Sequence, residues 1–229
     1  MPGLEGSLGS NINGPSLIRV PSWIDSPLGK YYLYFAHHKG TFIRLATANN
    51  VEGPYQIVPQ GVLRNTETFV GNAHIASPDV HILEKEKKIG MYFHSNLKGT
   101  GIYQDQNQTS YYADSADGIN FTAYPTLLAP FYIRTFEHDG AIYGLAKNDN
   151  ESGILLRSQD GKSLFERGPT FIKNFRHCAL LKRDDIMFVF FTRVGDKPES
   201  ILLSQIRLNS DWQTWTLSEP EIVLKPEMV

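Results

Sequence analysis

One pattern recurs four times along this chain and leaves it few ways to fold. It is a short run of β-branched and aromatic residues, of strand length, with a Gly, Asp or Lys near its start. Lys30-Tyr31-Tyr32-Leu33-Tyr34-Phe35 is the first run and Lys88-Ile89-Gly90-Met91-Tyr92-Phe93 the second. Ala141-Ile142-Tyr143-Gly144-Leu145-Ala146 and Ile186-Met187-Phe188-Val189-Phe190-Phe191 follow. Helical periodicity is sustained nowhere, so the chain reads as all-β.

Each run is the second strand of a larger repeat. First strands are predicted at residues 15–20, 79–83, 131–136 and 177–182, and third strands at 42–48, 110–115, 154–158 and 201–208. After the third strand comes a turn, then an aromatic residue that opens a fourth. Ser115-Ala116-Asp117-Gly118 before Phe121 and Ser158-Gln159-Asp160-Gly161 before Phe165 show it most clearly. Asp-Gly suits such a turn because Gly accepts positive φ without steric cost. Residues 50–55 and 209–212 hold the equivalent places in the outer repeats, with Trp212 expected to open the last fourth strand. Four repeats of roughly 45 to 65 residues, four strands each, match the blades of a β-propeller. A β-sandwich of hairpins is the alternative, and the fixed place of the Asp-Gly turn favours the propeller.

Composition sets bounds on partners. Charged residues are 20% and the formal net charge is -2, so the chain has no general attraction to nucleic acid or to an anionic membrane. Residues 1–12 are rich in Gly and Ser and are expected to form a flexible segment ahead of one domain at 13–229. That segment has no apolar core, so a cytoplasmic location without a signal peptide is expected. Cys178 is the single cysteine, which precludes an internal disulfide. No phosphate loop, nucleophile elbow or paired CxxC is present. No cofactor and no metal are expected. The partner expected is a small-molecule or oligosaccharide substrate; four blades leave open an absent fifth blade, a ring closed differently, or a second chain that contributes as a homodimer.

The ordered motifs carry a resemblance. Asn13-Gly14-Pro15-Ser16-Leu17-Ile18 before Tyr31-Tyr32-Leu33-Tyr34-Phe35 resembles the opening blade of five-bladed glycoside hydrolases of family 43 and of relatives such as family 117. Ile43-Arg44-Leu45-Ala46 leading to Glu52-Gly53-Pro54-Tyr55 is similar to their passage from third to fourth strand. Ser77-Pro78-Asp79-Val80-His81 with the run at residues 88–93 and His94 is similar to their second blade. The resemblance runs from about Asn13 to Glu221. It implies a five-bladed propeller of which four blades are readable here, and action on a glycoside or oligosaccharide. Two departures stand out: Asn13 holds the place of a family 43 aspartate base and Arg176-His177 that of a glutamate acid, and the length gives four blades rather than five. A histidine acid is what the family 117 likeness implies.

Propeller geometry then gathers the candidates at one mouth. From the first strands come Asn13, His74, Ser77, Asp79, Arg134, Arg176 and His177; from the second-strand ends come His37, His38, Lys39, His94, Lys147, Asp149 and Arg193. Alternation along a strand puts Ser77, Asp79 and His81 on one side, where a carboxylate beside an imidazole can do acid–base work. Asp79 and His177 are the expected catalytic pair, suited to inversion if about 6.5–9.5 Å apart. Asn13, His37, His38, His74, Arg134, Arg176 and Arg193 are the expected substrate-binding set. The cations among these favour an acidic sugar. Loss of the two family carboxylates also fits a lyase, isomerase or cyclase, or an inactive carbohydrate-binding relative.

Overall fold

The computed structural model describes Leu4, residues 11–149 and residues 151–227. Residues 1–3 and 5–10 of the expected flexible segment lie outside the described residues. Blade one is β1 (Asn13–Arg19), β2 (Tyr31–Ala36), β3 (Phe42–Ala48) and β4 (Gln56–Arg64). Blade two is β5 (Ile75–Leu83), β6 (Lys88–Ser95), β7 (Thr109–Ser115) and β8 (Thr122–Pro130). Blade three is β9 (Arg134–His138), β10 (Ala141–Asn148), β11 (Ser152–Ser158) and β12 (Glu166–Lys173). Blade four is β13 (Phe175–Arg183), β14 (Ile186–Arg193), β15 (Ile201–Arg207) and β16 (Glu221–Leu224). Each blade is a four-stranded sheet whose neighbours in space are neighbours in sequence, the meander that a propeller repeats. The fifth blade implied by the resemblance is not among the described residues, which form four.

The chain forms two compact units. Unit 1 is Met1–Lys98 with Gln108–Thr126, and unit 2 is Gly99–Asn107 with Leu127–Val229. In unit 1 the alternating aromatics of β2 turn inward: Tyr32 and Tyr34 are fully buried. The Tyr34 hydroxyl needs a partner at that depth, and it donates to the Gly118 carbonyl at 2.8 Å. Gly118 (φ 74°) belongs to the predicted Asp-Gly turn, and a Cβ there would lie 2.8 Å from that hydroxyl. The turn is held by Asp117, which accepts from the amides of Ile119 and Asn120 at 2.8 Å. Ser115 Oγ donates to the same carboxylate, also at 2.8 Å. Burial pushes the Asp117 carboxyl up, but these bonds outweigh it and hold the group at about 2. Blade three of unit 2 repeats the device at Ser158, Asp160 and Gly161.

Unit 2 packs its blades around Tyr143, Leu145, Phe175, Val189, Trp212 and Trp215, all buried. Each such apolar side chain contributes about 1.5–3 kcal/mol by leaving water. Trp215 lies 4.8 Å from Tyr143, ring to ring. The segment Gly99–Asn107, which follows β6 in the chain, belongs to this unit. Its Tyr103 donates to the Phe165 carbonyl at 2.7 Å. Its fully buried Gln106 donates to Asn148 Oδ1 at 3.0 Å and accepts from the Asp149 amide at 3.1 Å.

Three expectations are corrected. Trp212 does not open a fourth strand: Trp212–Thr214 is a 3-10 turn N-capped by Asp211, and β16 starts at Glu221. The indole is drawn into the core instead. Blade three begins its first strand at Arg134, because Tyr132 has φ +57° and interrupts extended backbone. The alternation of Ser77 with Asp79 and His81 is broken by a bulge between Ala76 and Asp79, where Ser77 has φ +52°. The two-residue period is lost across a bulge.

Candidate functional site

Antiparallel pairing sets the start of each first strand beside the end of the second, as Asn13 opposite Ala36 and Ala76 opposite His94 show. In unit 1 this gathers a polar cluster where blades one and two meet. Gly14 (φ +54°) permits the approach: a Cβ on it would sit 2.6 Å from Ser77 Cα. Ser77 Oγ donates to Asn13 Oδ1 at 2.6 Å, and the Val80 amide donates to Ser16 Oγ at 3.0 Å. The Asn13 amide nitrogen stands 3.4 Å from His38 Nδ1. Asn11 Oδ1 accepts from the His38 backbone amide at 2.8 Å. His37 and His38 lie in a turn after β2 rather than on a strand.

Two histidines of blade two form a pair, with His74 Nε2 3.3 Å from His94 Nε2. One ring donates and the other accepts, so the contact needs a neutral partner. Burial lowers the His74 pKa, and the positive charge of His38 and Lys39 lowers it further, against hydrogen bonds with Gln108 and Asn96. On the strand that follows His74, Asp79 is buried, 8% exposed. Its Oδ2 accepts from His81 Nε2 at 2.8 Å, and the His81 side chain is 36% exposed. A buried carboxylate needs such a partner. Asp79 and His81 therefore do share a side, as alternation predicts.

In unit 2 the equivalent end of blades three and four carries cations and rings. The His177 ring stands edge-on to Tyr132 at 4.6 Å. Arg176 pairs with Glu199 at 3.1 Å, and Arg193 with Asp196 at 3.0 Å. Arg134 is half-buried, and its guanidinium donates to the Ile133 carbonyl at 3.1 Å. Lys147 is 7% exposed, with its ammonium 5.6 Å from the Phe131 ring centroid. Burial lowers the Lys147 pKa, and the Arg176 charge adds to the shift. Among the described residues no three His, Cys, Asp or Glu side chains are grouped to hold a metal ion. No helix among them is long and apolar enough to cross a membrane.

Comparison with known proteins places this architecture. No family model matches the chain. An uncharacterized protein of Acanthamoeba polyphaga mimivirus is similar at 31% identity over 243 residues, 92% of this chain and 66% of that protein. Among solved structures, an exo-β-1,3-galactanase of Phanerochaete chrysosporium with bound β-1,3-galactotriose matches with TM-score 0.66 at 12% identity, over 92% of this chain and 50% of that one. The fold is that of the propeller glycoside hydrolases. A GH32 β-fructofuranosidase of Bombyx mori matches with TM-score 0.65 at 13% identity, over 93% of this chain and 49% of that one. A GH43 protein of Bacillus licheniformis matches with TM-score 0.63 at 14% identity, over 91% and 42%. At such identities the likeness is one of fold. The chain spans about half the length of the first two solved structures. The family 117 part of the resemblance rests on the sequence motifs alone.

Sequence reasoning missed Tyr132 and Asn11 as members of these clusters. Register alignment puts Tyr132 where Gly14 and Ser77 stand in the first two blades, because Arg134 pairs with Leu145 as Ser16 pairs with Tyr34 and Asp79 with Tyr92. A tyrosine at φ +57° is an outlier for a bulky residue, and nothing in the residue's type announces it. Asn11 carried no signal inside a Gly- and Ser-rich stretch.

Proposed function

We propose that this protein is a glycoside hydrolase-like enzyme acting on an oligosaccharide or glycoside. The observation that carries the reading is Asp79: a buried carboxylate on a bulged first strand, bonded to His81 at 2.8 Å, in a fold shared with glycoside hydrolases. Asp79 is assigned the acid–base carboxylate. His81 orients it and screens its charge, while the partly exposed face of the imidazole gives protons a route to water. His177, whose ring stands edge-on to Tyr132, is the second titratable group assigned to turnover. Asn13, Ser77, His38 and His74 are assigned to hydroxyl recognition, since amide and hydroxyl groups both donate and accept and imidazole nitrogens bond according to their tautomer.

A specific observation favours a second reading. Asn13 replaces the base implied by the resemblance, and Ser77 holds its amide oxygen at 2.6 Å. An amide cannot take a proton from water, so a site centred on it would orient a substrate for elimination, isomerisation or simple binding.

Mass spectrometry of a broad oligosaccharide panel separates these outcomes. Products whose summed mass exceeds that of the substrate by one water support hydrolysis. Fragments with no added water support elimination, and saturable binding without product supports the binding role.

A further inference from the structure

Lys147 is out of place by ordinary rules. A lysine is almost never nine-tenths buried unless it is paired, and Lys147 is 7% exposed. Among the described residues its ammonium meets the Phe131 ring and the charge of Arg176, and no carboxylate. The acids at this end of blades three and four are engaged elsewhere. Asp149, two residues on, accepts from Asn107 Nδ2 at 3.3 Å; Glu199 serves Arg176 and Asp196 serves Arg193. The fold fixes the lysine there. The Lys147 amide donates to the Phe131 carbonyl at 2.9 Å, and its partner in β11 is Gly153, which has no side chain to cover the ammonium. Drawing a charge out of water without a counter-ion is unfavourable, and a ring face offsets only part of that.

We infer that Lys147 anchors a binding site within unit 2 for a compact oxyanion, carried as the carboxylate or sulfate group of an acidic saccharide. Arg176 adds positive potential, and its side chain, 42% exposed, can turn from Glu199 towards a stronger anion. The Tyr132 ring, fixed against His177, supplies an apolar face for the sugar ring. The choice of a sugar as carrier rests on the function proposed above; the oxyanion requirement comes from Lys147 itself.

Thermal unfolding of the full chain, at ionic strength matched with sodium chloride, tests this. The probes are galacturonate, galactose 6-sulfate and neutral galactose. At least one charged sugar is expected to raise the melting temperature saturably and well beyond galactose. A response to galacturonate alone identifies the carboxylate, and one to the sulfate ester alone identifies the sulfate. Lys147→Met is expected to keep or raise the ligand-free melting temperature, because it removes a buried charge at similar volume. It should weaken binding of the charged sugar at least tenfold. Lys147→Arg, which keeps the charge, should bind within a few-fold of wild type. Wild-type protein that responds to neither charged sugar overturns the inference, as does equal binding by Lys147→Met. Because these readouts are binding alone, they can fail while hydrolysis stands, and the reverse.

Discussion

The two units solve the same backbone problem with different residues. Where a first strand begins, the chain passes through a left-handed residue: Gly14 and Ser77 in unit 1, Tyr132 in blade three and Asn174 before blade four in unit 2. In unit 1 the small residues let two blades close on each other, and the polar groups brought together hydrogen-bond to one another, with a buried carboxylate, Asp79, on the same bulged strand. In blade three of unit 2 the position carries a ring, and the groups at that end of the unit are His177, Arg176 and an ammonium that no described acid neutralises. The difference teaches that the fold's inner strand ends supply a place, while the residue in the left-handed seat decides what the place becomes. Small residues stand in a close hydrogen-bonded network; a tyrosine stands beside a cationic one.

Substitutions in that seat should break the comparison most sharply. Gly14→Ala forces a Cβ to within 2.6 Å of the Ser77 backbone at a φ that disfavours it. A loss of about 3 kcal/mol in chemical denaturation is expected, from strain and overpacking together. Tyr132→Gly, in the equivalent seat, relieves backbone strain while losing ring packing, so its net change should be smaller than that of Gly14→Ala. Equal losses would mean that the seat is not what separates the units.

The next effect concerns the segment Gly99–Asn107. Tyr103→Phe removes the donor to the buried Phe165 carbonyl, and a loss of about 1–2 kcal/mol is expected. Proteolysis within residues 99–107 should rise in step if that hydroxyl ties the segment to unit 2.

Acid should act on unit 1 through Asp117. Its folded pKa of about 2 lies below the unfolded value of about 3.9. Its stabilising share is therefore complete above the unfolded value and is lost as pH falls towards 2. Asp117→Asn should flatten the acid limb of a stability-versus-pH curve over that window and cost about 1 kcal/mol at neutral pH. His74 gives the smallest change. Burial, with His38 and Lys39, keeps its folded pKa below the unfolded value, so the unfolded chain binds the extra proton. Stability falls as pH drops below about 6.5, and His74→Gln should remove that slope.

Much of the fold was legible because two signals are local. Hydrophobic alternation marked the second and third strands within about two residues at each end, and Ser115-Ala116-Asp117-Gly118 announced its turn by side-chain chemistry that the structure reproduces. What lay beyond reach depends on tertiary context. Ser77 and Tyr132 take left-handed φ because neighbouring strands require it, so the expected side-sharing of Ser77 with Asp79 failed while that of Asp79 with His81 held. Trp212 read as a strand opener because an aromatic follows the turn in the other blades, yet in blade four the core takes the indole and leaves β16 as a short, exposed edge. Arg176 and Arg193 read as ligand groups; their partners Glu199 and Asp196 sit in loops that carry no periodic signal.

The most direct measurement compares wild type with Asp79→Asn on whichever saccharide of the panel the wild type converts. Asp79→Asn keeps size and hydrogen bonding while removing the titratable carboxylate. A fall in turnover of at least a hundredfold, with substrate binding retained, is the expected result, the scale general acid–base groups supply. Turnover equal to wild type would contradict the assignment of Asp79.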